Sequence, residues 1–223
     1  MAADAGHKMA AFTGQAEMNA RTEFPDFYAQ APVVAMRDPL AAFLGAARGG
    51  VIEYRYEDVV RLAGHSCPTV ASAFLMTRAA LNALYGADLP ERGGIRVARR
   101  EPKDAGVAGV MAAVATLVTG AADEGGFKGL GGQFVRRRRL FFAQDIGGTL
   151  RFTRLDTGTA VDASVRLDAI PADPRMMELL PRCLTGAAGP DETALFGELW
   201  QDRVRRLLLE HGDDPMVIGV VPV

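Results

Sequence analysis

Apolar positions recur at helical spacing in two stretches of the middle of the chain. Proline suits the first position of a helix and Gly86 stands where a left-handed stop belongs, so the first stretch predicts a helix from Pro68 with Cys67 as its N-cap. The second stretch predicts a helix that begins near Asp104, a suitable N-cap, and ends at Gly120. The apolar positions of the first are Val70, Ala73, Phe74, Thr77, Leu81 and Leu84, and those of the second are Val107, Val110, Met111, Val114, Leu117 and Val118.

Apolar residues then recur at every second position, a pattern that is typical of strands with one buried face. Between the predicted helices lies one short alternating segment, and three more follow a glycine-rich stretch. Turn residues at 145–148 and 156–158 separate the last three, so they predict a β-meander. The four predicted strands are residues 94–100, 133–143, 149–155 and 159–165.

The order of these elements predicts an α+β fold in which helices cover one face of a mainly antiparallel or mixed sheet. A helix-strand-helix-three-strand core is expected over residues 51–168. Residues 1–50 are expected to form an arm and an irregular lead-in, with the arm over the first twenty residues. Residues 169–223 are expected to form a C-terminal helical extension with helices at 175–183 and 191–211.

The composition is that of a soluble globular protein, with 49% hydrophobic and 23% charged residues among 223 and a formal charge of -2. Such a charge gives no global attraction to nucleic acid, and the basic run Arg136 to Arg139 would place two arginines on each face of a strand. No apolar stretch is long enough to cross a membrane and no secretory signal is expected. With Cys67 and Cys183 as its two cysteines, the chain is expected in the cytoplasm.

The segment Gly64-His65-Ser66-Cys67-Pro68 carries the best candidate chemistry. Imidazole nitrogen and thiolate sulfur are good zinc ligands, and a helix N-terminus favours the thiolate. The same pair also fits a structural interpretation, in which Cys67 is a small buried residue and His65 a satisfied polar residue in a turn.

This segment resembles the start of the domains of the FmdE family, which is named after a component of formylmethanofuran dehydrogenase. Those domains typically show Gly-His-x-Cys-Pro-Gly before a small-residue-rich helix. The resemblance continues through Val118-Thr119-Gly120, the Gly/Lys loop at 125–129 and the Thr-Gly turn at 157–158. It covers residues 54–165 and implies the same order of helices and strands.

The resemblance implies a metal site, commonly zinc, in which His65 and Cys67 are ligands. The chain departs from the family where further cysteines are expected, since Ala121 follows Thr119-Gly120 and Thr69 replaces the last glycine of the motif. A closed four-ligand site would need nearly every histidine and cysteine, including His7 and His211. We therefore expect an open site, completed by water, substrate, a carboxylate or a second subunit.

The loop that the family places near its site contains Asp123, Glu124 and Lys128, which are candidate substrate-binding residues or, alternatively, solvated surface residues. Three functions stay open. The chain is a zinc or other divalent transition-metal protein in one-carbon or molybdenum-linked metabolism, a metal-free thiol enzyme with catalytic Cys67 and His65, or a non-enzymatic protein-interaction subunit. A homodimer is the expected assembly.

Overall fold

A computed structural model describes residues 22–223, so the predicted arm over residues 1–20 and His7 lie outside the described residues. Over the described part the fold is α+β, as predicted, with six helices and two sheets. The helices are α1 (Pro39–Phe43), α2 (Tyr56–Ala63), α3 (Pro68–Tyr85), α4 (Ala108–Thr119), α5 (Arg175–Leu184) and α6 (Pro190–Leu209). The strands are β1 (Val34–Arg37), β2 (Val51–Tyr54), β3 (Ile95–Arg99), β4 (Leu140–Phe141), β5 (Leu150–Arg154), β6 (Ala160–Val165) and β7 (Ile218–Pro222).

The larger sheet has the strand order β4-β3-β5-β6-β7, while β1 and β2 form a separate antiparallel pair. Strand β3 pairs in parallel with β4 and antiparallel with β5. Val97, Phe152 and Val161 lie opposite one another on β3, β5 and β6, and all three are buried. This sheet face and the helices therefore share one hydrophobic core.

Helix α3 is the centre of the core. It contacts α2, α4 and α6 as well as strands β5, β6 and β7. The predicted apolar stripe is buried as expected except for Leu84, which is partly buried, but residues outside the stripe, among them Ala71, Leu75 and Met76, are fully buried too. Small side chains such as Ala71 and Ala80 allow neighbouring elements to approach closely, which explains why this helix is rich in alanine.

The predicted strand over residues 133–143 is wrong except for β4. This segment forms its backbone hydrogen bonds with the preceding loop. The amides of Arg136 and Arg137 donate to the Phe127 carbonyl, and those of Arg139 and Leu140 donate to the Ala122 carbonyl. The first of the three meander strands is therefore reduced to β4, which pairs in parallel with β3, and the antiparallel run is β3, β5, β6 and β7. The four arginines do not alternate across a strand.

The second predicted helix begins later than its sequence suggests. Helix α4 starts at Ala108 with Val107 as the N-cap residue, because residues 102–106 form a turn in which the Ala105 amide donates to the Pro102 carbonyl. Asp104 is exposed and does not cap the helix. The Gly120 stop is as predicted, with φ of 73°.

Strands β1, β2 and β7 and helix α2 have no counterpart in the predicted elements. Strand β7 pairs with β6 along its whole length, so residues 169–223 contribute a strand to the main sheet as well as helices α5 and α6. Val204, Leu207 and Leu208 of α6 belong to the same hydrophobic core as α3.

In residues 22–223, no helix combines the length and the hydropathy that a membrane-spanning segment requires.

Candidate functional site

A tight turn between α2 and α3 carries the candidate ligands. Helix α2 ends at Ala63, and Gly64 follows in the left-handed conformation with φ of 73°. Its amide donates to the Val60 carbonyl at 2.8 Å and so closes the last helical turn. Glycine reaches this conformation without steric cost, which accounts for its place in front of His65.

His65 is exposed, and one of its two ring nitrogens forms a hydrogen bond within the turn. Nδ1 lies 2.9 Å from the carbonyl oxygen of Ala63. A carbonyl accepts hydrogen bonds only, so in the neutral imidazole this contact favours the tautomer with the proton on Nδ1 and a lone pair on Nε2. That tautomer is the one a histidine needs to bind a metal or to act as a base through Nε2.

Cys67 is the N-cap residue of α3, as predicted, with extended backbone angles. Its carbonyl accepts the first helical hydrogen bond, from Ala71, at 3.0 Å. The residue is only 9% exposed and belongs to the hydrophobic core. The structure therefore places an exposed imidazole and a buried thiol two residues apart.

Ser66, between the two candidates, forms hydrogen bonds with two helices, α2 and α6. Its hydroxyl lies 2.9 Å from the Tyr56 hydroxyl and donates to Gln201 Oε1 at 3.1 Å. Tyr28 donates to the same Gln201 oxygen at 3.1 Å, and the indole N–H of Trp200 donates to the Ser66 carbonyl at 3.0 Å. Burial raises the pKa of both tyrosines, so they stay protonated and able to donate. We call these five residues the Ser66 clamp.

The Ser66 clamp fixes the backbone of the turn. Only some of its members could be identified from the sequence. The amphipathic pattern of the last helix predicts a packing role or a subunit contact for Trp200. The structure packs Trp200 against the core and also makes its N–H a hydrogen-bond donor to the turn. Ser66 occupies the variable position of the motif. Gln201 lies 135 residues from Ser66, and local spacing carries no information about such a contact.

A metal at this turn could be held only in an open site. Within residues 22–223 no group of three or more His, Cys, Asp and Glu side chains is arranged to hold an ion. His65 and Cys67 supply nitrogen and sulfur, the donor types that zinc prefers, but a catalytic zinc usually has three protein ligands. At least one further ligand would have to come from outside the described residues.

The predicted substrate-binding residues do not gather at one place. Asp123 lines a mostly apolar cavity of about 470 Å³ between α4, Leu62 of α2 and Phe142, and it pairs with Lys103 at 2.5 Å. The hydrogen bond from Lys103 holds the pKa of Asp123 below its usual value. Asp123 is therefore a charged carboxylate on the lining of this cavity.

Glu124 and Lys128 are both exposed, and neither lines this cavity. Glu124 is in loose contact with Arg138, at 3.9 Å. His65 and Cys67 do not line the cavity either, although Leu62 is only three positions before His65. Cys183 is half-buried in the last turn of α5 as a free thiol.

No family model matches the chain, and a search of curated proteins gives no match for it either.

Proposed function

We propose that the chain is an FmdE-like domain that binds a divalent transition metal, zinc in the first place, in an open site at the start of α3. His65 Nε2 and Cys67 Sγ would be the protein ligands. The observation that supports this most directly is the hydrogen bond between His65 Nδ1 and the Ala63 carbonyl, because it leaves Nε2 available as a ligand on an exposed ring.

The remaining coordination positions would be filled from outside the described residues, by water, by substrate or by a second copy of the chain. A two-fold dimer would bring a second pair of ligands, and a homodimer remains part of the proposal for that reason. A bound zinc would supply a Lewis acid in such a site. The chain's own contribution would be the fixed tautomer of His65 and the held backbone of the turn.

Metal analysis of protein purified without added metal tests the proposal. We expect about one zinc per chain in the wild type, or about one per two chains if the ligands of a dimer share the ion. Cys67→Ser and His65→Ala should each lose most of it, whereas Cys183→Ser and His211→Ala should retain it. Metal content that is the same in Cys67→Ser as in the wild type would refute the site.

A second candidate is a metal-free thiol enzyme, with Cys67 as nucleophile and His65 as base. The lack of a third metal ligand in residues 22–223 favours it. In the presence of a chelator, iodoacetamide should then alkylate Cys67 rapidly at neutral pH, and His65→Ala should slow the reaction. An inert Cys67 in chelated wild-type protein would argue against this candidate.

A role as a protein-interaction subunit would require neither side chain. Full partner binding by a variant that lacks both His65 and Cys67 would favour that role over the other two. The cytoplasmic location and the link to one-carbon or molybdenum metabolism rest on the family resemblance and on composition alone.

A further inference from the structure

Three arginines line one cavity on a different part of the molecule. The cavity has a volume of about 300 Å³ and lies between the start of α1, residues 91–93 and residues 133–139. Arg92, Arg136 and Arg139 line it, and Glu91 is the only acidic lining residue in the described part of the chain. The lining therefore carries a net positive charge, although the chain as a whole carries a charge of -2.

The carboxylate of Asp38 neutralises this cluster only in part. Asp38 lies behind two of the arginines and accepts from Arg92 Nη1 at 3.0 Å and from Arg136 Nη2 at 2.6 Å. Its second function is to cap α1, through hydrogen bonds from the amides of Leu40 and Ala41. Asp38 and Glu91 together offset two positive charges, so the three arginines leave one in excess.

Arg136 is buried and incompletely paired. Its side chain is 7% exposed, and Nε and Nη1 have no hydrogen-bond partner within residues 22–223. A buried donor without a partner is costly, and such groups are normally bound to protein, water or a ligand. Gly93 packs directly against this guanidinium, where any Cβ would overlap with Nη1, so the backbone is shaped around the arginine.

Of the three arginines, Arg139 is the most available to bind a ligand. It is half-buried, lines the cavity and has no carboxylate within salt-bridge distance in the described residues. Burial lowers the pKa of both Arg136 and Arg139. For Arg136 the charge of Asp38 opposes this effect and the charges of Arg92 and Arg139 add to it, whereas for Arg139 the charge of Glu91 opposes it. An anion in the cavity would relieve this repulsion.

We propose that this cavity binds a small oxyanion, the phosphoryl or carboxylate group of a small molecule. Guanidinium groups present parallel N–H donors that match the oxygens of both groups. Arg139 supplies the free donors, and Arg92 and Arg136, oriented by Asp38, supply the positive field. The site is independent of His65 and Cys67.

Calorimetric titration of the full chain with inorganic phosphate, and separately with succinate, tests the site at constant ionic strength set with chloride. The key variant is Arg139→Gln, because Arg136 and Arg92 are part of a buried ion cluster whose loss could prevent folding. Losing a charge-assisted hydrogen bond should raise the dissociation constant about tenfold or more. Arg138→Gln is the matched control, since Arg138 is exposed and does not line the cavity, and it should change the constant less than about twofold.

Binding of phosphate that depends on Arg139 but not on Arg138 would identify a phosphoryl site, and the same pattern with succinate a carboxylate site. The proposal is overturned if neither anion binds, or if both variants weaken binding equally. His65→Ala should bind the anion as the wild type does, so failure of the metal site and failure of this site can be told apart.

Discussion

At the scale of single residues, buried carboxylates determine much of the local structure. Asp162 of β6 lies opposite Arg151 of β5 and accepts from its Nε at 2.7 Å and Nη2 at 2.9 Å. It also accepts from the amides of Gly147 and Gly148, and so ties the turn before β5 to the sheet. The hydrogen bonds from Arg151 hold the pKa of Asp162 below its usual value of 3.8.

Asp162→Asn should therefore destabilise the protein in a pH-dependent way. Because the folded pKa is the lower one, the stabilisation is complete above about pH 4 and is lost as the pH falls through the folded pKa. The unfolding free energy should be about 2 kcal/mol lower in the variant at pH 7, and the difference should shrink in acid. Urea unfolding from pH 7 to pH 3 measures it.

The matched control is Asp168→Asn, since Asp168 is exposed and makes no side-chain hydrogen bond in the described residues. It should change the unfolding free energy little at any pH. A difference between wild type and Asp162→Asn that does not depend on pH would show that the charge of Asp162 contributes nothing to the stability.

At the scale of elements, the Ser66 clamp links α6 to the turn before α3. Trp200→Phe keeps an aromatic ring but removes the donor to the Ser66 carbonyl. We expect about 1 kcal/mol less stability and faster alkylation of Cys67, because the adjacent backbone is freer to open. Phe196→Leu is the control, since it disturbs the ring contact with Trp200 and leaves the N–H in place. Equal alkylation rates in Trp200→Phe and the wild type would contradict the clamp's role.

Helices were more predictable from the sequence than strands, for a physical reason. Apolar residues at helical spacing identify α3, and the ends of that helix follow from Pro68 and Gly86. The prediction of a strand over residues 133–143 failed because the backbone of residues 136–140 forms hydrogen bonds to the loop at 122–127. Phe134 and Arg138 also adopt positive φ. Strand β7, Ile-Gly-Val-Val-Pro, shows no alternation of apolar and polar residues and is stabilised by its pairing with β6.

The candidate site was predictable only in its location. The sequence places His65 and Cys67 correctly at the N-terminus of α3. Their different exposure to solvent depends on how α3 and its neighbours pack. The Ser66 clamp and the arginine cavity join residues far apart in the chain. Their members carry no shared local pattern from which contact could be inferred.

At the scale of the whole molecule, α6 and the sheet should unfold together. Leu207 of α6 is fully buried in the same core as α3. Leu207→Ala should cost about 2 to 5 kcal/mol and lower the stability of the entire described fold. In a Cys183→Ser background, Trp200 is the only tryptophan and Cys67 the only thiol, so fluorescence and thiol labelling report on α6 and on the core separately.

The two probes should show one urea midpoint in the parent and one lower midpoint in Leu207→Ala. Two separated transitions would instead mean that the C-terminal helices form an independent extension. Phe43→Ala is the control, since Phe43 is largely exposed, and it should move the midpoint much less.

Strand β7 reaches its neighbour β6 only after the intervening segment has turned back through α5 and α6. Pairing strands so distant along the chain requires the closure of a long loop, and such pairings form slowly. Gln201 and Trp200 belong to this returning segment, so we expect the Gly-His-Ser-Cys turn to be locked at a late stage of assembly. Chains in which α6 has not yet docked would present Cys67 on a looser turn, vulnerable to oxidation before the fold is complete.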